Sequence, residues 1–235
     1  MNPTFSIITV CKNSESTIQR TISSLRKNPR RLFEFIIVDG QSTDSTRKII
    51  TANIDIVDTY ICEVDKGIYD AMNKGLKHVR GDFVMFLNSD DWLEENVLLK
   101  VYDSISKNPG YDVYHGYMKI HGQNHVLTTA VGHQTLPTSM PSYQPASFVK
   151  KKSISQSIWF DSVYKIAADF KFFKQLQIQG LKFFKMNFPI TNFSVGGASS
   201  NSEIRLGELR NILLELDYPR WLVWLLILRI RYMDT

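Results

Sequence analysis

Cysteine is nearly absent from this 235-residue chain, which carries only Cys11 and Cys62. Two thiols on separate apolar segments build neither a disulfide framework nor a zinc cluster, so both are expected to be buried thiols of a reducing compartment. His115, His121, His125 and His133 show no metal-ligand spacing and read as surface or structural groups. No apolar run approaches the roughly 20 residues that cross a bilayer. The chain opens without a basic segment leading into a long apolar stretch, so no secretory leader is expected and a cytoplasmic location is. Charge of one sign is not in large excess: 28 Lys and Arg face 23 Asp and Glu, a formal net charge of +5. Nucleic acid is therefore not an expected partner, whereas an anionic ligand or a membrane surface fits. Repeats and low-complexity tracts are also missing, which leaves one large α/β domain or a domain with a small appendage.

What is present is an alternation of strand and helix periods. Residues 5–10 read as a strand, and Ser14 or Ser16 is placed to cap a helix with Ile18, Ile22 and Leu25 on its apolar face. A second apolar strand at 33–38 is closed by Asp39-Gly40, and a helix follows from about Thr46. A short strand near 60–64, a helix carrying Ile68, Met72, Leu76 and Val79, and a strand at 83–87 complete the pattern. Such alternation predicts a mostly parallel sheet with helices on both faces. The second half is less regular: a helix over 94–107, a strand over 111–121, a long loop over 128–145, a helix over 165–180 ended by Gly180, and a loop with Gly196-Gly197 before the last helical region.

Four predicted strand ends carry polar groups, at 9–13, 39–44, 65–70 and 88–91. In a parallel sheet these lie on one edge, where open α/β sheets bind ligands. The last is the most informative, because strand 83–87 runs directly into Asn88-Ser-Asp-Asp91 and adjacent carboxylates repel unless water, donors or a divalent cation compensates them. Lys66-Gly67 adds a cation, a flexible backbone and a following helix N-terminus, a combination suited to phosphate. Taken singly, Asp39-Gly40 or Asp90-Asp91 is more often a turn or a helix cap than a ligand site, and their joint occurrence on one sheet edge reverses that preference; Lys66 is as readily a solvated lysine. Asp70 and Asn73 read equally as local helix-bonding groups.

Several ordered segments, Ser-Ile-Ile-Thr-Val (6–10), Ile-Ile-Val-Asp-Gly-Gln-Ser-Thr-Asp (36–44), Asp-Lys-Gly-Ile-Tyr-Asp-Ala-Met-Asn-Lys-Gly (65–75), Gly-Asp-Phe (81–83) and Leu-Asn-Ser-Asp-Asp (87–91), together resemble glycosyltransferase family 2 with its GT-A, Rossmann-like fold. A weaker match continues in Ile166-Ala-Ala-Asp-Phe170 and Gly196-Gly197-Ala-Ser199. The resemblance implies a nucleotide-sugar donor, usually a UDP-sugar, bound with Mg²⁺ or Mn²⁺. It places Thr9, Val10, Asp39 and Asp65 around the nucleoside, Lys66 beside it or the diphosphate, and Ser89 and Asp90 at the donor. Asn88 stands where the family has its first acidic metal ligand, so Asp90 and Asp91 inherit the metal. Asp169 falls on the position of the acceptor-activating base, although a helix cap is equally consistent with its local pattern. Lys171 stands where relatives often have a second acid. Tyr143 replaces a family histidine, while Gln144 is retained as a candidate donor or acceptor contact, or as a loop amide bonding its own backbone.

These readings predict a GT-A catalytic domain over 1–215, with a nucleotide-sugar half (1–110) and an acceptor half (111–215), followed by a C-terminal helical extension over 216–235. The run 221–228, flanked by Arg220, Arg229 and Arg231, suits the membrane interface or else packing on the domain or in a homodimer. The implied activity is inverting hexosyl transfer to a polyprenyl-diphosphate-linked saccharide in bacterial surface-polysaccharide synthesis, on the inner face of the cytoplasmic membrane. A glycosidase fits less well, since the acids cluster beside phosphate-compatible loops. A nucleotide-sugar-binding subunit without turnover is the alternative from another class.

Overall fold

The computed structural model describes residues 4–122, 125–129, 139–154, 159–194 and 202–233. Its first half winds β1 (Phe5–Cys11), α1 (Ile18–Arg26), β2 (Phe33–Asp39), α2 (Thr46–Ala52), β3 (Thr59–Cys62), α3 (Ile68–Leu76) and β4 (Phe83–Phe86). The second half adds β5 (Trp92–Leu93), α4 (Val97–Lys107), β6 (Val113–His121), β7 (Val126–Thr129), β8 (Ser147–Lys150), α5 (Ala168–Ile178), β9 (Phe183–Ser194), α6 (Ser202–Glu215) and α7 (Arg220–Met233). The strands form one nine-stranded sheet in the order β3-β2-β1-β4-β8-β6-β9-β5, with β7 paired to β6. Strands β1 to β4 are mutually parallel. Beyond β4 the sheet is mixed, because β8 runs antiparallel to both β4 and β6 while β6 and β9 are parallel.

Strand period decides how the sheet is covered. In β1, Phe5 and Ile7 join α1, α2 and α4 in one core with Ile18, Ile22, Leu25, Ile50 and Leu98. The alternate residues Ile8 and Val10 face the other core, built with Met72 of α3, Phe172 and Phe173 of α5, Ile212 of α6 and Val223 of α7. Burial on both faces explains why these strands read as continuous apolar runs. Several boundaries differ from the sequence reading for local reasons. The cap of α1 is Thr17, without a side-chain bond, instead of Ser14 or Ser16. Those serines belong to a loop that bonds to its neighbour: Ser14 N–H donates to Thr46 Oγ1 at 2.7 Å. The helix expected from residue 94 starts at Val97, because Trp92 and Leu93 pair with β9. Part of the expected loop over 128–145 is strand β7 and a short 3₁₀ turn at Gln144–Ala146, while Gly196 and Gly197 lie outside the described residues.

One buried carboxylate locks the amino edge of the sheet. Glu34 of β2 accepts hydrogen bonds from Ser6 Oγ (2.5 Å), the Arg80 amide (2.5 Å) and the Gly81 amide (3.1 Å), with Arg80 Nε at 2.6 Å on its other oxygen. Burial alone would raise its pKa, but these donors outweigh it and hold the carboxyl below its ordinary range. Gly81 comes so close to β1 that a Cβ there would lie 2.8 Å from the Phe5 carbonyl carbon and from the Ser6 nitrogen. Backbone cannot yield as a flexible side chain can. Gly81→Ala is expected to destabilise the protein by about 1–3 kcal/mol, the range for overpacking, measured by urea unfolding with unchanged m-value.

Candidate active site

The carboxyl ends of β1, β3 and β4 open into a cleft of about 1160 Å³ whose far wall comes from the start of α5 and from α6. Val10, Asp65, Lys66, Ser89, Asp90, Gln144 and Asp169 all line it. Thr9, Asp39 and Asp91 do not line it; they are fully buried beneath its floor. The Thr9 hydroxyl donates to the Leu87 carbonyl at 2.7 Å and ties β1 to the chain leaving β4. Asp39 accepts from the Ser42 amide and hydroxyl at 2.9 and 2.6 Å and from the Tyr60 hydroxyl at 2.9 Å, which fixes the turn after β2.

Asp65 is set by close packing. A Cβ on Gly40 would sit 2.1 Å from Asp65 Oδ2, so the glycine leaves the space that this carboxylate fills. Gly67 follows with φ of 128°, a conformation that favours glycine. The loop at Lys66 and Gly67, ahead of the α3 N-terminus, is braced from within. Their N–H groups donate at 3.0 Å to Asp70 and Asp65 respectively. The Lys66 amide, and beyond it the Lys74 ammonium, hold the Asp70 carboxyl below its usual range. Positive charge in the cleft is carried by the side chains of Lys66, as expected from its place after β3, and of Lys12, Lys165 and Arg205.

The acidic motif after β4 is held by its backbone. Thr21 Oγ1 lies 2.9 Å from the Ser89 carbonyl and 2.6 Å from that of Asp91. Arg20 Nη2 donates at 2.8 Å both to the Asp90 carbonyl and to Ser194 Oγ, and its guanidinium stacks 3.7 Å over the Trp92 ring. The Asp90 side chain is thereby left to face the cleft. Asp91 accepts the Ser194 amide at 3.3 Å, and burial followed by repulsion from Asp90 pushes its carboxyl well above the carboxylate range. Among the described residues no group of three His, Cys, Asp or Glu is placed to hold a metal. The donors that do fit are oxygens: the buried Asn88 Oδ1 and Asp91 Oδ2 have no hydrogen-bond partner, and Asp90 lines the cleft beside them. A hard cation suits such a set only if the remaining oxygens come from a bound ligand.

On the opposite wall Asp169 is the second residue of α5. Its Oδ1 accepts the Phe170 amide at 2.8 Å and lies 3.3 Å from the Tyr69 hydroxyl. Burial raises its pKa to about 6, against the lowering effect of those donors. A carboxyl in that range takes up a proton readily near neutral pH. Gln144 is buried, with Nε2 3.1 Å from Met72 Sδ. Sequence reasoning passed over Tyr69, Lys165, Arg205 and Glu208. Tyr69 stood inside a quoted motif, where its spacing signalled only a helix face, and the other three have no local signal because their places are set across the fold.

The sequence profile of Glycosyl transferase family 2 matches residues 6–176. The chain belongs to glycosyl transferase family 2. An uncharacterized glycosyltransferase of Mycobacterium tuberculosis is 30% identical over 182 residues, which are 72% of this chain and 67% of that one. The Escherichia coli UDP-Glc:alpha-D-GlcNAc-diphosphoundecaprenol beta-1,3-glucosyltransferase WfgD is 29% identical over 133 residues, 56% of this chain and 52% of WfgD. Staphylococcus aureus TarS 1-349 in complex with UDP-GlcNAc superposes with a TM-score of 0.74 at 21% identity, covering 93% of this chain and 70% of that one. At that identity the superposition shows the GT-A fold, shared here by a family 2 member whose cleft opens where its parallel strands end. Gly40→Ala is expected to push the Asp65 carboxylate aside at little cost in stability, because the group that must move is the end of a side chain. A crystal structure of the variant would show the displacement, with melting temperature as the control for folding.

Proposed function

We propose that the protein is an inverting, metal-dependent hexosyltransferase that moves a sugar from a nucleotide-sugar, a UDP-sugar in this reading, to a lipid-linked saccharide acceptor of bacterial polysaccharide synthesis. The observation that carries the proposal is one cleft with Asp65, Lys66 and Asp90 on its strand-end wall and Asp169 on the α5 wall. The first group suits a nucleoside diphosphate and the second an acceptor hydroxyl. Asp65 and Val10 bound the nucleoside end, while Lys12 and Lys66 face the diphosphate. Asp90, aided by Asn88 Oδ1, would hold Mg²⁺ or Mn²⁺, with Asp91 as a buried neighbour; that ion would neutralise charge on the leaving diphosphate. Asp169 takes the proton of the acceptor hydroxyl as the oxygen attacks the anomeric carbon. Single displacement gives inversion. Gln144, which also lines the cleft, would contact the donor or the acceptor.

The C-terminal helix supports an acceptor presented at a membrane. No helix among the described residues is long and apolar enough to cross one. On α7, Val223 and Leu226 pack into the core, and the opposite side exposes Trp221 (67%), Trp224 (64%), Leu225 and Leu228. Their spacing of i, i+3, i+4 and i+7 makes one apolar stripe, and Arg220 and Arg229 flank it. The stripe would lie in the headgroup layer on the cytoplasmic face, with the arginines on anionic lipid; a homodimer through the same stripe is the competing use.

Asp169→Asn is expected to bind UDP and metal normally while turnover falls by about 10²-fold or more. Because the ionised form is the base, kcat/KM of the parent should be flat above a pH of about 6 and fall tenfold per unit below it. Asp90→Ala should lose metal-dependent UDP binding in the same titration. Near-parental turnover of Asp169→Asn would remove it from the mechanism. Separately, Trp221→Ala/Trp224→Ala should reduce partitioning onto vesicles containing anionic lipid by about tenfold. Unchanged partitioning together with loss of a dimer in sedimentation would favour the homodimer.

A further inference from the structure

Helix α5 starts at a loop with no cap of its own: Ala167 occupies the cap position and offers no side-chain acceptor. An anion from a different helix takes that place. Glu208 of α6 accepts the Lys165 amide on Oε1 at 2.7 Å, and the Ile166 and Ala167 amides on Oε2 at 2.9 and 2.8 Å. Three consecutive N–H groups converging on one carboxylate, at the positive end of a helix, form a charge-assisted grip on that loop. The peptide so held also orients the cleft. The Ile166 carbonyl accepts the Tyr69 hydroxyl at 2.6 Å, and this hydroxyl lies 3.3 Å from Asp169 Oδ1.

The same helix secures the segment on both sides of Asp169. Two turns beyond Glu208, Glu215 accepts the Tyr164 hydroxyl at 2.5 Å and the Lys171 ammonium at 2.6 Å. Lys171, standing where relatives often carry an acid, is thus held between Asp161 and Glu215.

We propose that Glu208 is a positioning residue for transfer: it fixes the 165–167 loop and, through Tyr69 and the start of α5, the place of Asp169 in the cleft. This inference rests on Asp169 as the base. It assigns part of the active centre to α6, beyond the 6–176 region matched by the family profile. Electrostatics follows the same geometry. The groups facing Asp169 are Tyr69 from α3 and Glu208 from α6, with Lys165 and Arg205 lining the same cleft. After burial, the negative charge of Glu208 is a further influence that raises the Asp169 pKa.

The test compares Glu208→Gln, Glu208→Asp and Asp169→Asn in the full chain by UDP titration, melting temperature and the pH profile of kcat/KM. Glu208→Gln should bind UDP within about twofold of the parent yet lose about tenfold or more in kcat, as expected for a misplaced catalytic group. Its acid limb should move to lower pH, because a like charge near Asp169 has gone. Glu208→Asp keeps the charge on a side chain one methylene shorter, so its kcat should fall while the acid limb stays nearer the parent's. Parental kcat with an unmoved acid limb in both variants, or a loss confined to melting temperature, would overturn the proposal. If Glu208→Gln yields no folded protein, the kcat of Glu208→Asp decides alone. Asp169→Asn separates the two levels: normal turnover there defeats the base assignment, whereas an inert Asp169→Asn beside parental Glu208 variants leaves the base standing and removes Glu208.

Discussion

Strands β1, β2 and β4 are buried on both faces, so polar side chains along them must be paired, as Glu34 and Thr9 are, or pushed to the strand ends. Chain direction then does the rest. Since β1 to β4 are parallel, their carboxyl ends share an edge, and the polar residues excluded from the core collect there. The cleft follows from the sheet's intolerance of unpaired polarity. Cys11 shows the limit of that rule: it lines the cleft, yet burial and the nearby Asp39 push its thiol well up, leaving an inert group.

The two walls are built on different principles. The strand-end wall is local, because Asp65, Lys66, Ser89 and Asp90 each lie a few residues from a strand and are braced by short loops. In one such brace Ser14 Oγ meets Ser89 Oγ at 2.9 Å. The α5 wall is assembled from distant parts, since Tyr69, Asp169 and Glu208 come from three helices.

That division decides what the sequence disclosed. Continuous apolar runs with short polar breaks made β1, β2 and β4 readable, and the helices between them followed from their apolar spacing. In the mixed part of the sheet β6 was readable, as the strand expected over 111–121, whereas β5 has only two residues, too few for a periodicity. Asp65, Lys66 and Asp90 were legible as strand-end groups, and Asp169 only through its resemblance to a family motif. Thr9, Asp39 and Asp91 carry the residue types expected at a ligand, yet composition cannot distinguish a carboxylate in the cleft from one bracing a turn beneath it. Glu208 had no sequence signal at all, because its partners lie more than 40 residues away.

The clamp made by Arg20 joins the first helix, the acidic motif and the last residue of β9. Closing it requires β9 to be in place, and β9 is held by β6 in a parallel pairing that spans a long stretch of chain. Contacts of such separation form late, because the entropy of closing the loop must be met first. A chain emerging from the ribosome would present Asp65, Lys66 and Asp90 well before Ser194 exists. The acidic motif would thus gain its last brace only once the mixed half of the sheet has closed, so the shape of that cleft wall depends on chain far from it in sequence.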